Sequence, residues 1–353
     1  MTLALLHIEN LRNIESARLT LHPHLNVLGG PNGSGKTSLL EAIYLLSSGH
    51  SFRTREISPV IRHQAERLTV FARTQDFQTV SIQKSASSPT QVRLNQLPCQ
   101  KSSELARFLP CQVFYQDMFQ FIEAGPSVRR SLLDWGLFHV KQSYHALWKN
   151  YRRALKQRNS LLRQQARAQY LEPWNVLLDE LAVQMDQLRR DYFSSLQKKF
   201  KEILPQITDV DCSLHYFKGW DKKESGKSLA SILADSYPTD CQRQYTQHGA
   251  HQADLLVVSE DYKVKHYLSR GQQKTILFAL KLAQIALIET ECILLCDDLP
   301  SELDEAHLKR LISLIAKTKG QFFISCIQAE RLHFADQPHA QFRINEGVIE
   351  ADQ

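Results

Sequence analysis

The spacing of apolar positions along this chain changes period several times, and the changes divide it. Residues 3–9 (LALLHIE), largely apolar, and 15–21 (ESARLTL), which alternate, read as two strands joined around Asn10-Leu11-Arg12-Asn13. Leu25-Asn26-Val27-Leu28 is a short apolar run that reads as a buried strand, and SLLEAIYLL at 38–46, beyond a glycine-rich segment, has helical spacing. Residues 47–63 contain Arg53, Arg55, Arg62 and His63 but little apolar content, as expected of a surface loop with a short helix. Alternation returns at 67–74, 77–85 and 90–96, and 111–116 is a further strand candidate. Gly125-Pro126-Ser127 breaks the pattern, with Ser127 placed to cap the next helix.

From about 128 to 204 the period becomes helical and glycine almost disappears. Pro173 is expected to divide this stretch into two long helices, an αα-hairpin or arm. Its first half is rich in Lys149, Arg152, Arg153, Lys156, Arg158, Arg163 and Arg167, a pattern that ordinarily marks a solvated face. Trp148 and Tyr151 share the spacing of Leu147, Leu155 and Leu162, which fits a packed seam better than a base-stacking platform. Residues 213–220 read as a strand and 224–230 as a loop; strand and helix patterns then resume through 275–289, 292–296 and 320–328. The order predicts an α/β fold: a P-loop core with an N-terminal β-rich subdomain, interrupted by an inserted α-helical arm. The expected segments are 1–127 and 246–353 for the core and 128–245 for the arm.

Composition narrows the class. The chain has 353 residues, room for roughly two domains, with 43% hydrophobic and 23% charged residues, ordinary for a soluble globular protein. A net charge of +6 suits a polyanionic partner without requiring one. The seven cysteines are scattered, with no CxxC pair or zinc spacing, so a reducing cytoplasm is expected and Cys292 and Cys296 read as buried apolar residues. No stretch reaches the ~18 apolar residues of a membrane span, and the N-terminus does not look like a signal peptide.

The chemistry concentrates after the strand at 25–28. Gly30-Pro31-Asn32-Gly33-Ser34-Gly35-Lys36-Thr37 is a Walker A loop set between a strand and a helix. Its glycines let successive backbone N–H groups turn toward phosphate oxygens, and the helix N-terminus adds its positive end. Lys36 is expected on the β- and γ-phosphates of ATP, and the Thr37 hydroxyl on Mg²⁺. Arg12 reads either as a solvated turn residue or as a cation near the phosphates. Cys292–Asp298 is an apolar run ending in two acids, a Walker B strand. Asp297 would hold the Mg²⁺ shell, and Asp298 would act as base or orient water. Gln116 is a candidate metal ligand after the strand at 111.

Leu268-Ser269-Arg270-Gly271-Gln272-Gln273-Lys274 is similar to the signature of ABC-type ATPases, with Arg270 in place of a glycine. Ser269, Gly271 and Gln272 are the candidate γ-phosphate contacts. Ser301-Glu302-Leu303-Asp304 resembles the D-loop, making Asp304 a further candidate. The similarity implies that signature and D-loop meet nucleotide bound by a second copy, so that ATP is sandwiched in a head-to-tail dimer. At the switch position this chain offers Ser325 rather than His. The long interval between Lys36 and Ser269, filled by a helical pair, is the layout of SMC-like heads rather than of transporter cassettes.

Taken together, residues 8–15, 29–47, 51–54, 125–139, 155–162 and 268–274, the Asp297-Asp298 pair and SELD at 301–304 resemble the RecF family of bacterial recombination-mediator ATPases. The resemblance runs nearly end to end. It implies ATP-dependent homodimerisation, weak DNA-dependent ATP hydrolysis, and binding of double-stranded DNA and single-strand/double-strand junctions. It also implies work with RecR and RecO in loading RecA during gap repair, fork recovery and SOS induction. Two places depart from the family pattern. Tyr115-Gln116-Asp117 lacks the Pro-acidic step, and Gly249-Ala250-His251-Gln252-Ala253-Asp254 lacks the family's arginine.

Two other classes compete. A P-loop kinase would use the same loop on a small molecule, but it has no use for a signature, a D-loop or an arm. A scaffold that binds ATP without turnover would keep all three, and single-turnover hydrolysis with and without gapped DNA separates it.

Overall fold

The computed structural model describes residues 2–115, 125–259, 262–263, 268–329, 332, 334 and 337–352. Contacts divide the chain into two units, residues 1–118, 206–208 and 274–353, and residues 119–205 and 209–273.

The first unit contains two sheets. β1 (Leu3–Leu11) and β2 (Ile14–Thr20) form a hairpin, and the chain then enters β3 (Leu25–Gly29) and helix α1 (Lys36–Ser48). β4 (Arg67–Thr74), β5 (Thr79–Ser85), β6 (Gln91–Leu94) and β7 (Leu97–Pro98) complete an antiparallel sheet of order β2-β1-β4-β5-β6-β7. Alternation decides which side chains are inside: Leu6, Ile8, Leu68, Val70, Val80 and Ile82 are fully buried. The predicted turn is tighter than 10–13, since β1 extends to Leu11 and pairs it with Ile14. After helix α2 (Ser102–Phe108) comes β8 (Cys111–Phe114).

The second sheet of this unit has the order β15-β14-β3-β13-β12-β8. Its strands β8, β12 (Ile293–Cys296), β13 (Gln321–Cys326), β3 and β14 (Ala340–Asn345) run parallel, and β15 (Val348–Asp352) returns antiparallel. β8, β12 and β13 are buried at every position, as strands covered on both faces must be. Buried Gln321 joins the two sheets. Its amide accepts from Leu3 N and donates to the carbonyls of Leu3 and His22, at 2.8, 2.8 and 2.9 Å.

The second unit carries helices α3 (Pro126–Val140), α4 (Gln142–Arg163) and α5 (Ala168–Ile207), a small sheet of order β11-β10-β9, and helices α6 (Leu229–Asp235) and α7 (Tyr237–Arg243). Its strands are β9 (Ser213–Phe217), β10 (Asp254–Ser259) and β11 (Tyr262–Lys263). Two expectations fail here. Ser127 is no cap: the helix starts at Pro126, which needs no N–H partner in the first turn. Nor does Pro173 divide the helices. The break is at 164–167, where Gln165 takes φ 52°, and Pro173 lies inside the following helix. Buried Arg158 ties the unit together, donating to Asn175 Oδ1, Asp240 Oδ2, Thr246 Oγ1 and the Leu233 carbonyl at 2.7–3.2 Å. The last elements are α8 (Arg270–Ala286), α9 (Leu299–Glu302) and α10 (Glu305–Ile315). Among the described residues no helix is long and apolar enough to cross a membrane.

Candidate nucleotide site

The parallel strand order brings the two acidic and phosphate-binding segments together. β3 neighbours β13, and β13 neighbours β12, so the loop after β3 and the acids after β12 emerge at the same sheet edge. This is the carboxyl edge of the strands, where open α/β sheets bind ligands. There the Thr37 hydroxyl meets the Asp297 carboxylate at 3.0 and 2.9 Å. Ser325, at the end of β13, links both acids: its hydroxyl donates to Asp297 Oδ1 at 2.8 Å and accepts from Asp298 N at 2.7 Å. Asp298 itself has φ 49°, and its carboxylate accepts from the Ser301 hydroxyl at 2.7 Å.

The Walker A loop curls as its composition requires. Gly30 has φ 156°, and a Cβ there would strike the Ile344 carbonyl of β14, so only glycine fits. Lys36 folds over the loop and donates to the carbonyls of Gly30 and Pro31, both at 2.8 Å. Burial lowers the Lys36 pKa, while Asp298 and Asp297 oppose the shift. Among the described residues the buried Ser34 hydroxyl has no hydrogen-bond partner. A curled loop, a lysine donating to two of its carbonyls, an orphaned hydroxyl and a Thr–Asp pair together fit a nucleoside triphosphate with its divalent cation. Gly33, Gly35 and the exposed Pro31 and Asn32 complete the loop.

Arg12 is occupied within the fold. Its guanidinium does not turn on the phosphate loop. It grips Glu41 of α1 through Nε and Nη2, at 2.8 and 2.9 Å, and Nη1 reaches the Pro59 carbonyl at 2.7 Å. Glu41 is fully buried and also accepts from the Ser51 hydroxyl, so it demands a cation. The neighbour Asn13, missed from the sequence, is the residue that touches the loop. Its amide donates to the carbonyls of Gly33 and Ser34, at 3.3 and 2.9 Å, and accepts from the Ser38 hydroxyl at 3.0 Å.

A second element was also missed. The turn between β14 and β15 carries Glu346 and Gly347 at φ 47° and 84°, the positive values of a tight hairpin turn. Gly347 N donates to the Ser34 carbonyl at 2.7 Å. A Cβ on Gly347 would strike the Asn13 carbonyl. The loop is therefore held from one side by Asn13 and from another by this hairpin. An Asn-Glu-Gly-Val step was the available signal.

The remaining candidates lie elsewhere. In the second unit, Ser269 and Gln272 form a capping box: Ser269 N donates to Gln272 Oε1 at 2.9 Å, and Gln272 N to Ser269 Oγ at 3.3 Å. Ser269 and Gly271 are exposed. In the first unit, Lys274 pairs with Glu302, and Asp304 caps α10 by accepting from His307 N at 2.9 Å. Gln116 lies outside the described residues.

Comparison with known proteins gives the family. The model of the RecF/RecN/SMC N-terminal domain matches residues 2–350. The chain is 38% identical to the DNA replication and repair protein RecF of Azotobacter vinelandii, over 99% of this chain and 98% of that one. To the RecF of Salmonella arizonae it is 37% identical, over 99% of both. Among solved structures, the recombination mediator protein RecF with ATP in the RecFOR pathway superposes with a TM-score of 0.83 at 25% identity, covering 100% and 98% of the two chains. An SMC head bound to the C-terminal winged-helix domain of ScpA shares the fold, with a TM-score of 0.64 at 16% identity.

Proposed function

The chain belongs to the RecF family of DNA replication and repair proteins, and from that premise we propose that it is an ATP-operated DNA clamp of recombinational repair. The observation that carries this reading is the Thr37–Asp297 contact, with Ser325 bridging Asp297 to Asp298. Thr37 and Asp297 would hold Mg²⁺, while Lys36, Ser34 and the loop N–H groups hold phosphate. The bound cation supplies charge neutralisation at the β- and γ-phosphates. Asp298 orients the attacking water, and Ser325 fixes the angle between the two acids.

On this reading, residues 1–127 and 246–353 serve as the ATPase head and 128–245 as its arm. Ser269, Gly271, Gln272 and Asp304 complete the site of a second copy, so that ATP closes a dimer over duplex or gapped DNA and slow hydrolysis reopens it. RecR with RecO is the expected partner in loading RecA. The exposure of Ser269 and Gly271 supports this reading, since a tip buried in its own unit could not reach a mate.

Light scattering with ADP, with ATP, and with ATP plus duplex DNA tests the proposal. The mass should double only with ATP, and Lys36→Ala should abolish the doubling. A Lys36→Ala protein that dimerised with ATP as the parent does would defeat the mechanism.

A further inference from the structure

Helix α4 carries a one-sided charge pattern that the nucleotide site does not use. Between Asp134 and Glu172 the sequence contains no Asp or Glu, while Lys149, Arg152, Arg153, Lys156 and Arg163 recur at helical spacing. At 3.6 residues per turn these five fall within an arc of about 100°. The buried residues of the helix, Tyr144, Tyr151, Ala154, Arg158 and Leu162, centre on the opposite side. The five cations are exposed, and none forms an ion pair among the described residues. The remaining cation of the helix, Arg158, faces inward and is consumed by Asp240 at 2.8 Å. Arg152 is partly pre-oriented, its guanidinium lying 4.8 Å from the centre of the Trp148 ring.

A merely solvated helix face normally interleaves acids that pair at i,i+4; this face has none. From Lys149 to Arg163 the row is about 21 Å long at 1.5 Å per residue. Gln142, His145 and Ser160 are the other members of that arc, and half-buried Trp148 at its edge lies under the Arg152 guanidinium, so within the arc no large apolar side chain is present to enter a membrane or anchor a protein partner. What a straight row of unpaired cations fits is a regular polyanion. A duplex offers one phosphate charge per ~1.7 Å of axis along its whole length.

We infer that the outer face of α4 is a phosphate-contacting rail for duplex DNA, binding without regard to sequence. The inference rests on the DNA-clamp reading above and assigns a surface to it. The test uses the full chain, with fluorescence anisotropy of a labelled blunt duplex followed across salt concentrations. The rail variant combines Lys149→Gln, Arg152→Gln, Lys156→Gln and Arg163→Gln. A charge-matched control combines Lys198→Gln, Lys201→Gln, Lys222→Gln and Lys223→Gln, all exposed positions of the same unit.

The rail variant should flatten the slope of log affinity against log salt by about 3 to 4, because each lost contact removes roughly 0.9. Its affinity at low salt should fall at least about tenfold, with ATP-dependent light scattering unchanged. The control should stay close to the parent. Independently, saturating duplex should protect Lys149 and Lys156 of the unaltered protein from reductive methylation. A rail variant with the parent's slope, a control that loses as much, or unprotected lysines would each overturn the rail. A parent that bound no duplex at any salt would overturn the DNA reading itself, which is a separate outcome.

Discussion

Arg12 and Glu41 lock the first hairpin to the phosphate-loop helix through two parallel bonds, at 2.8 and 2.9 Å. The carboxylate is fully buried and the guanidinium largely so. Removing one partner therefore strands the other. Arg12→Ala should cost about 3–5 kcal/mol, the scale for an uncompensated buried charge. The double variant Arg12→Ala/Glu41→Leu should cost much less than the sum of its two single changes. Calorimetric unfolding of the four proteins checks this, and additive losses would contradict it.

Ser325 gives a sharper handle on hydrolysis than on binding. Ser325→Ala removes the hydroxyl shared by Asp297 and the Asp298 N–H. Groups that orient a metal ligand typically matter by about 10- to 100-fold. We expect single-turnover hydrolysis to fall by that factor, while ATP affinity changes less than about threefold. An unchanged rate would mean that the hydroxyl is not needed to aim the acids.

Asn13→Ala tests the brace on the loop. It leaves the buried Ser38 hydroxyl without its acceptor and removes the bonds to the Gly33 and Ser34 carbonyls, of which Ser34 keeps Gly347 N. Unmet polar groups of this kind cost about 1–3 kcal/mol each when buried. ATP affinity by titration calorimetry should drop at least about tenfold, since one such loss matches a tenfold change. Asn13→Asp should not restore it, because a carboxylate cannot donate to the two carbonyls.

Lys281 sets a pH dependence. It is buried on α8, with Nζ donating to the Val113 carbonyl of β8 at 2.6 Å and lying 4.7 Å from the centre of the Phe114 ring. Burial lowers its pKa to about 7, and nearby Cys111 is pushed up to about 12 by the same cause. Unfolded, the lysine titrates near 10.5. Between these values the unfolded chain binds the extra proton, so the lysine's contribution to stability rises with pH across that window. Below pH 7 the cost of burying it is fully present. Lys281→Met should melt higher than the parent at pH 7, and its lead should shrink by pH 9.5. A lead that stayed constant would mean that Lys281 does not titrate there.

The loop and the Walker B strand were legible because their chemistry is contiguous. Gly30 to Thr37 follows a strand, and Cys292 to Asp298 is an apolar run closed by acids. The partners of these residues were not legible, because they come from distant segments. Nothing beside Arg12 in sequence shows that buried Glu41 claims it, and nothing beside Asn13 shows that it reaches the loop. Pro173 was misplaced for a different reason. Local rules say that proline stops a helix, yet α5 continues past it while the break occurs at Gln165, which no proline or glycine marks.

The hairpin that carries Gly347 has a consequence for biosynthesis. The ribosome makes the phosphate loop early and its Ser34-holding brace some three hundred codons later. Until β14 and β15 emerge, Gly30 and Ser34 lack the backbone that shapes them, so a nascent chain cannot finish its nucleotide pocket. A ribosome-stalled nascent chain ending before residue 340 should therefore fail to retain ATP, whereas one with β15 clear of the exit tunnel should hold it.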